Sequence, residues 1–468
     1  YEYFTVEDES PIIREQPFLT IDDNGNYGVF VPAKRENAVG VSWANGNLEG
    51  TTISIDNFFV AKPDDSAATI NAALASGKHL LFTPGIYSLN DSIKVNNPNT
   101  VVLGLGYATL TPTGNNACIE VADVDGVTVS GLLFDAGPEY TETLLKIGED
   151  GASKRHAEPT LLSDLFFRVG GAATGVTQSK TCIIINSDDV IGDNFWVWRA
   201  DHGDGVAWDL NKTENGVIVN GDNVTMYGLF VEHFHEYQTI WNGENGRSYF
   251  YQSEIPYDIP NQESWMSHNG TKNGYASYKV ADDVTSHESY GMGVYSFHRD
   301  ATVDLYSAIE VPDVDGVMIK HACSVMLAGY PGITHVVNDE GAAVSTAGER
   351  QQVVQYGNSY GVVIPPITDE EEEYEGTPGI ATGANADWKN TAIVYPEAGQ
   401  LVAGGPIYLK FKKFTGDIEA TKYSIYVDGK LEGTVNASNS DVIEFEIYNT
   451  NVSKHSLKIV ADLADGSR

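Results

Sequence analysis

Between Phe230 and Asp258 the chain reads FVEHFHEYQTIWNGENGRSYFYQSEIPYD. Glu232, His233, His235, Glu236, Glu244, Arg247, Glu254 and Asp258 crowd into this stretch, interleaved with Phe234, Trp241, Tyr249, Tyr251 and Tyr257. Hydrolysis of a glycosidic bond with inversion needs a protonated carboxyl at the leaving oxygen and an ionised carboxylate that activates water. Glu232 and Glu254 are 22 residues apart, a plausible single turn of a solenoid, which would set them one rung apart on one face. Inverting pairs stand roughly 6.5–9.5 Å apart, so rungs spaced about 4.8 Å would need a sideways offset between the two side chains.

Other candidates lie upstream. Asp201-His202-Gly203-Asp204 and the pair Asp188-Asp189 offer carboxylates, but Asp is also an ordinary turn residue because its side chain bonds nearby backbone. Turn formation or substrate contact fits DHGD better than a metal, since no convergent ligand is visible. His233 and His235 alternate about Phe234; surface positions are the commoner outcome for such histidines. Trp196, Trp198, Trp208, Trp241 and Trp265, five of seven tryptophans, fall within 70 residues. On one strand Trp196 and Trp198 share a face opposite Phe195 and Val197, so both pairs cannot point inward. No nucleophile elbow, phosphate loop or dinucleotide fingerprint occurs.

The elements that must position these residues are short and β-rich. After a helix capped by Asp64 to Ser66, with Ile70, Ala73 and Leu74 on its apolar side, runs such as Leu80–Phe82, Tyr87–Leu89, Ile93–Val95 and Val101–Leu105 are separated by Gly, Pro and Asn turns. Near-repeats follow: IEVADVDGV at 119–127 against IEVPDVDGV at 309–317, and VTVSGLLF at 127–134 against VTMYGLFV at 224–231. Spacings of 33, 30 and 34 residues separate Leu132, Leu165, Phe195 and Leu229. A loose period with no helix between repeats predicts a parallel β-helix, whose coils bury apolar residues only by stacking. A β-sandwich would want hairpin turns and would leave the near-repeats unexplained.

The expected organisation is all-β: an N-terminal connecting or capping segment at 1–50, a right-handed parallel β-helix at 51–365, an acidic linker at 366–379 and an immunoglobulin-like β-sandwich at 380–468. The linker expectation rests on PPITDEEEEYEGTPG, and the sandwich on YSIYVDGKLEGTV, with its Asp428-Gly429 turn, and HSLKIVADLADGSR. With 47 glycines and a net charge of −37, the chain repels polyanions. Nucleic acid is therefore an unsuitable partner and a neutral polysaccharide a suitable one. Cys118, Cys182 and Cys323 lack metal spacing and are expected as buried free thiols. No apolar run is long enough to span a membrane. The chain begins at Tyr1 without a signal peptide and reads as an interior piece of a longer protein.

From about Phe58 to Val363 the chain resembles glycoside hydrolase family 55, the secreted β-1,3-glucanases, and specifically their second half. The carrying stretches include LLFTPGIYSL, VADVDGVTVSGLLFDAGP, WVWRADHGDGVAWD, GLFVEHFHEYQTIWNGENGR and QSEIPYDIPNQ. They cover about two thirds of the chain. The resemblance implies exo-acting, inverting, metal-free and cofactor-free hydrolysis of β-1,3-glucan by a secreted monomer. It implies Glu254 as general acid, with a pKa raised by partial burial or by Glu232, and Glu232 as the carboxylate assisting the water. Trp198, Asp201, His202, Trp241 and Tyr257 are implied as sugar contacts. It also implies a preceding β-helix, absent from this chain, as the other wall of the cleft. Alternatives are another β-helix polysaccharide enzyme, such as an α-1,3-glucanase or a lyase, and a non-catalytic glucan-binding solenoid.

Overall fold

The computed structural model describes residues 7, 9–45, 48–359, 361, 393–395, 407–415, 418–427, 430–437, 440–447 and 457–464. They divide into two compact units, 1–359 and 360–468. The first is a parallel β-helix. Its nine-stranded sheet runs from Ile93–Val95 to Ile333–Val337, every neighbouring pair parallel. A longer sheet runs from Phe58–Ala61 to Val317–Gly329.

Each coil of the longer sheet bends at the same place. Gly131, Asp164, Asn194, Gly228, Phe250, Gly291 and His321 all have φ between 50° and 70°, and the strand register sets each opposite the next. The left-handed conformation is easy for Gly and tolerated by Asn and Asp. The coils that use Phe250 and His321 adopt it under the demand of their stacked neighbours. This corner turns a two-sheet stack into a three-sided one.

Inside, side chains repeat coil by coil. Leu132, Leu165, Phe195, Leu229 and Tyr251 form one inward column and Phe134, Phe167, Val197 and Val231 another, all buried. Phe134 stacks on Phe167 at 4.8 Å with planes 11° apart. At another corner Asn220 donates to Asn186 and Asn242 donates to Asn220, each at 2.7 Å, so turn amides satisfy one another along the stack. The expected helix is Ala67–Ala75, with Ser66 as N-cap and Ile70 and Leu74 buried. At the far end strand Arg350–Gly357 pairs antiparallel with Val317–Gly329 and covers what would be an exposed parallel edge.

The N-terminal segment lies along a flank. Strand Gly50–Ser54 pairs with Tyr27–Pro32, so this small sheet runs past residue 50, and the first strand of the longer sheet is Phe58–Ala61. Val29 packs with Phe58, Leu81, Val101 and Leu103. Tyr227 donates its hydroxyl to the Ile12 carbonyl at 2.6 Å, and Arg14 bonds Glu158 at 2.6 Å. Cys118 and Cys182 are buried as expected, but Cys323 is only half-buried, because it falls on an outward column between Gly293 and Gln352.

Among the described residues the second unit has two three-stranded antiparallel sheets around Leu409, Phe411, Tyr423, Ile425 and Ile443. The Asp428-Gly429 turn and the acidic linker lie outside the described residues. The strands flanking that turn, Ala420–Val427 and Lys430–Asn436, pair antiparallel.

Truncating Phe167 to Ala removes one of the two rings of the inward stack and is expected to destabilise the solenoid by about 3–5 kcal/mol. Urea denaturation measures it, and a loss below about 1 kcal/mol would show that the stack is not the core's organising feature.

Candidate active site

After the left-handed corner, the last turn of each long strand presents two outward columns. One runs Arg168, Trp198, Glu232, Glu254, Tyr295; the other runs Phe166, Trp196, Phe230, Gln252, Gly293. Glu232 is therefore directly opposite Glu254 on the adjacent strand. The expected inward and outward split of the tryptophan strand is observed: Phe195 and Val197 are buried, Trp196 is 43% exposed and Trp198 half-buried. The two indoles stack on each other at 5.4 Å.

The carboxyls share a column but are held from different sides. Trp196, from the preceding coil, donates its Nε1–H to Glu232 at 2.9 Å. The Tyr257 hydroxyl, from the loop that follows the strand, donates to Glu254. The two carboxyls thus have different hydrogen-bond partners, an indole N–H for Glu232 and a phenol for Glu254. Burial pushes the Glu232 carboxyl up to about 7; the Trp196 hydrogen bond opposes this and the Glu254 charge adds to it. Burial thus acts on Glu232 to retain its proton.

The surrounding shell converges from two loops. Asp201 accepts from His202 Nδ1 at 2.8 Å, and His202 packs against Trp198 at 5.2 Å while remaining exposed. His233 Nε2 lies 3.7 Å from Asp201 and 3.8 Å from Glu254, and its ring meets Tyr257 edge-on at 4.4 Å. His233 has φ of 69°, which turns it out of the strand line immediately after Glu232. Burial lowers its pKa and keeps the imidazole neutral between two carboxylates.

Behind the shell lies a buried ion pair. Arg199, fully enclosed, donates to both oxygens of Asp258 at 3.0 and 2.8 Å. It also donates to the carbonyls of Asn211 and His233 at 2.8 and 3.1 Å. Burial alone would raise Asp258, but the Arg199 hydrogen bonds and charge outweigh it and hold the carboxyl below its ordinary value. One guanidinium therefore ties the strand that carries Trp198 to the loops that carry Asp201 and Tyr257.

Six of the seven expected site residues meet: Glu232, Glu254, Trp198, Asp201, His202 and Tyr257. Trp241 does not. It is fully buried beneath the nine-stranded sheet, 4.8 Å from the His287 ring, because strand Thr239–Trp241 turns it inward. His233 and His235 are not surface residues: the first is buried and the second half-buried. Asp188 and Asp189 are structural, Asp189 clamped by Arg155 at 2.8 and 2.9 Å and Asp188 accepting the Asp222 amide. Among the described residues no group of three or more His, Cys, Asp or Glu side chains converges as a metal site.

Known proteins share this arrangement of sequence and fold. Residues 58–254 match the LAM55 pectate lyase-like domain. An exo-beta-1,3-glucanase of Streptomyces sp. SirexAA-E is 48% identical over 344 residues, which cover 73% of this chain and 56% of that protein. The β-helix is thus similar to the β-1,3-glucanases of glycoside hydrolase family 55. The structure of sacteLam55A from Streptomyces sp. SirexAA-E matches with a TM-score of 0.72 at 47% identity, covering 74% of this chain and 63% of that one. A glutamate-to-alanine variant of sacteLam55A in complex with glucose matches with the same TM-score and coverage at 48% identity. The chain spans just over half the length of the curated relative it matches.

The raised Glu232 pKa has a consequence for stability. Between about pH 4.5 and 7 the folded chain keeps a proton that the unfolded chain releases, so stability falls as pH rises through that window. Glu232→Gln is expected to abolish this component, about 3 kcal/mol across the window, and so to be more stable than the parent at pH 8. Urea midpoints at several pH values measure it; parallel pH profiles for the two chains would contradict the assignment.

Proposed function

We propose that this chain carries the acid and base carboxyls of a secreted β-1,3-glucan hydrolase that acts from a chain end with inversion. The observation that carries the reading is the in-register placement of Glu232 and Glu254 on an outward column beside the Trp196–Trp198 platform. Glu254, half-buried at the loop side, protonates the departing glycosidic oxygen. Glu232 takes the proton of the attacking water on the other face of the sugar. The tryptophan faces stack on the flat side of a glucosyl ring, and Asp201, His202 and Tyr257 supply hydrogen bonds that orient its hydroxyls. A net charge of −37 suits an uncharged polymer better than a uronate.

The column faces outward and would line one wall of the cleft, with a facing wall supplied from elsewhere. We assign that wall to a preceding β-helix of the same protein, which acts as a monomer. It would enclose the sugar and raise the local field at the carboxyls.

One observation favours a second reading. Because burial raises Glu232, the pair's proton could reside there, which would make Glu232 the acid and Glu254 the base. Leaving-group dependence separates the two. A dinitrophenyl β-glucoside needs no protonation of its leaving group, whereas laminarin does. With the complete cleft present, Glu254→Gln is expected to lose about 10²–10⁴-fold in kcat on laminarin and far less on the aryl glucoside, while Glu232→Gln loses activity on both. The opposite pattern would exchange the roles, and near-normal laminarin turnover by Glu254→Gln would remove it from catalysis.

A further inference from the structure

A second concavity opens on the far side of the two loops that build the cleft. It encloses about 290 Å³, at the lower end of the ~300–1,000 Å³ range usual for ligand sites. None of the cleft residues lines it. Its aromatic surfaces are Trp208, Tyr140 and Tyr275, with Tyr140 44% exposed. Its polar surfaces are the carboxylates Asp209, Glu214 and Glu236 and the single ammonium of Lys212.

We propose that this groove is a second carbohydrate site that holds a neutral β-1,3-glucan strand beside the cleft. Flat aromatic faces together with carboxylate acceptors are a surface that suits sugar rings, whose C–H faces stack and whose hydroxyls donate. Three carboxylates against one ammonium reject an anionic ligand. The Thr213 side chain, only 1% exposed, lines the groove, and its hydroxyl has no hydrogen-bond partner.

The groove is rigid where it meets the cleft. Trp208 packs on the His235 ring at 4.3 Å and lies under the Arg199 guanidinium at 5.7 Å; His235 Nε2 bonds the Trp208 carbonyl at 2.8 Å. The loop that carries Asp201 and His202 thus continues into Trp208 and Lys212, and the loop that carries Tyr257 continues into Ser264 and Tyr275. A polymer held in the groove would be tethered next to the catalytic column, which raises its effective concentration there without adding a contact at the reacting bond.

The choice of β-1,3-glucan as ligand rests on the proposed function, so the test reads binding separately from turnover. Native electrophoresis of the chain through gels containing soluble laminarin is the measurement. The cleft double variant Trp196→Ala/Trp198→Ala is expected to remain retarded. The groove double variant Tyr140→Ala/Tyr275→Ala is expected to lose about tenfold in retardation affinity. Ser264→Trp, a substitution at an exposed rim position that plugs the groove without entering the core, is expected to do the same, which guards against misfolding of the double variant. Groove variants retarded like the parent, or loss of all retardation in the cleft variant, would overturn the proposal. Groove-dependent retardation, in a protein that with the preceding β-helix present hydrolyses neither laminarin nor an aryl glucoside, would support the groove and overturn the proposed function.

Discussion

The structure depends on register between parallel coils. From Thr128–Asp135 to His287–His298 each strand of the longer sheet pairs residue for residue with the next, and a left-handed residue at the same place in successive coils locks the phase. A slip of one residue would flip every side chain between core and solvent, sending Leu229 and Val231 outward and Glu232 inward. The same constraint that buries the Phe134–Phe167 stack therefore places Glu232 opposite Glu254. The site is a by-product of core packing at the one point where outward columns carry acids and indoles.

Electrostatics refine what the register places. The chain is strongly acidic, yet the cleft is backed by an enclosed Arg199–Asp258 pair and a neutral His233. A buried pair of this kind contributes little net stability, but removal of one partner strands the other charge. Its geometric effect is to join segments: Arg199 donates to the carbonyls of Ala207 and Asn211 on one loop and to that of His233 on another, and so links the loops on both sides of the carboxyls. Glu232 and Glu254 then differ in environment despite sharing a column. One is buried against an indole N–H and the other half-open against a phenol, and such asymmetry separates acid from base roles.

The solenoid was legible because its signal is repetitive: a near-identical pair of nonapeptides and spacings of about one coil, which a sandwich leaves unexplained. The Trp196–Trp198 pair was legible for the same reason, since alternation on a long strand determines which side faces solvent. Trp241 was misread because a three-residue strand carries no alternation to orient it, and a tryptophan among glutamates looks the same from either face. His233 was undervalued because its left-handed backbone cannot be inferred from an FVEHFH string that reads as continuous strand. The Arg199–Asp258 pair spans 59 residues, and the contact of Tyr227 with Ile12 spans 215. Neither distance leaves a local trace, and the placement of the N-terminal segment along a flank was hidden for that reason.

The central claim is that the Glu232–Glu254 column straddles a glucan linkage. Diffraction from crystals of the chain bearing Glu254→Gln, soaked with laminaritriose, tests it most directly. The expected result is a glycosidic oxygen within hydrogen-bond reach, about 2.6–3.2 Å, of the side chain at position 254, with a glucosyl ring on Trp198 and Glu232 across its opposite face. Sugar bound elsewhere on the solenoid with that column left bare, or a linkage lying beyond both carboxyls, would contradict the account.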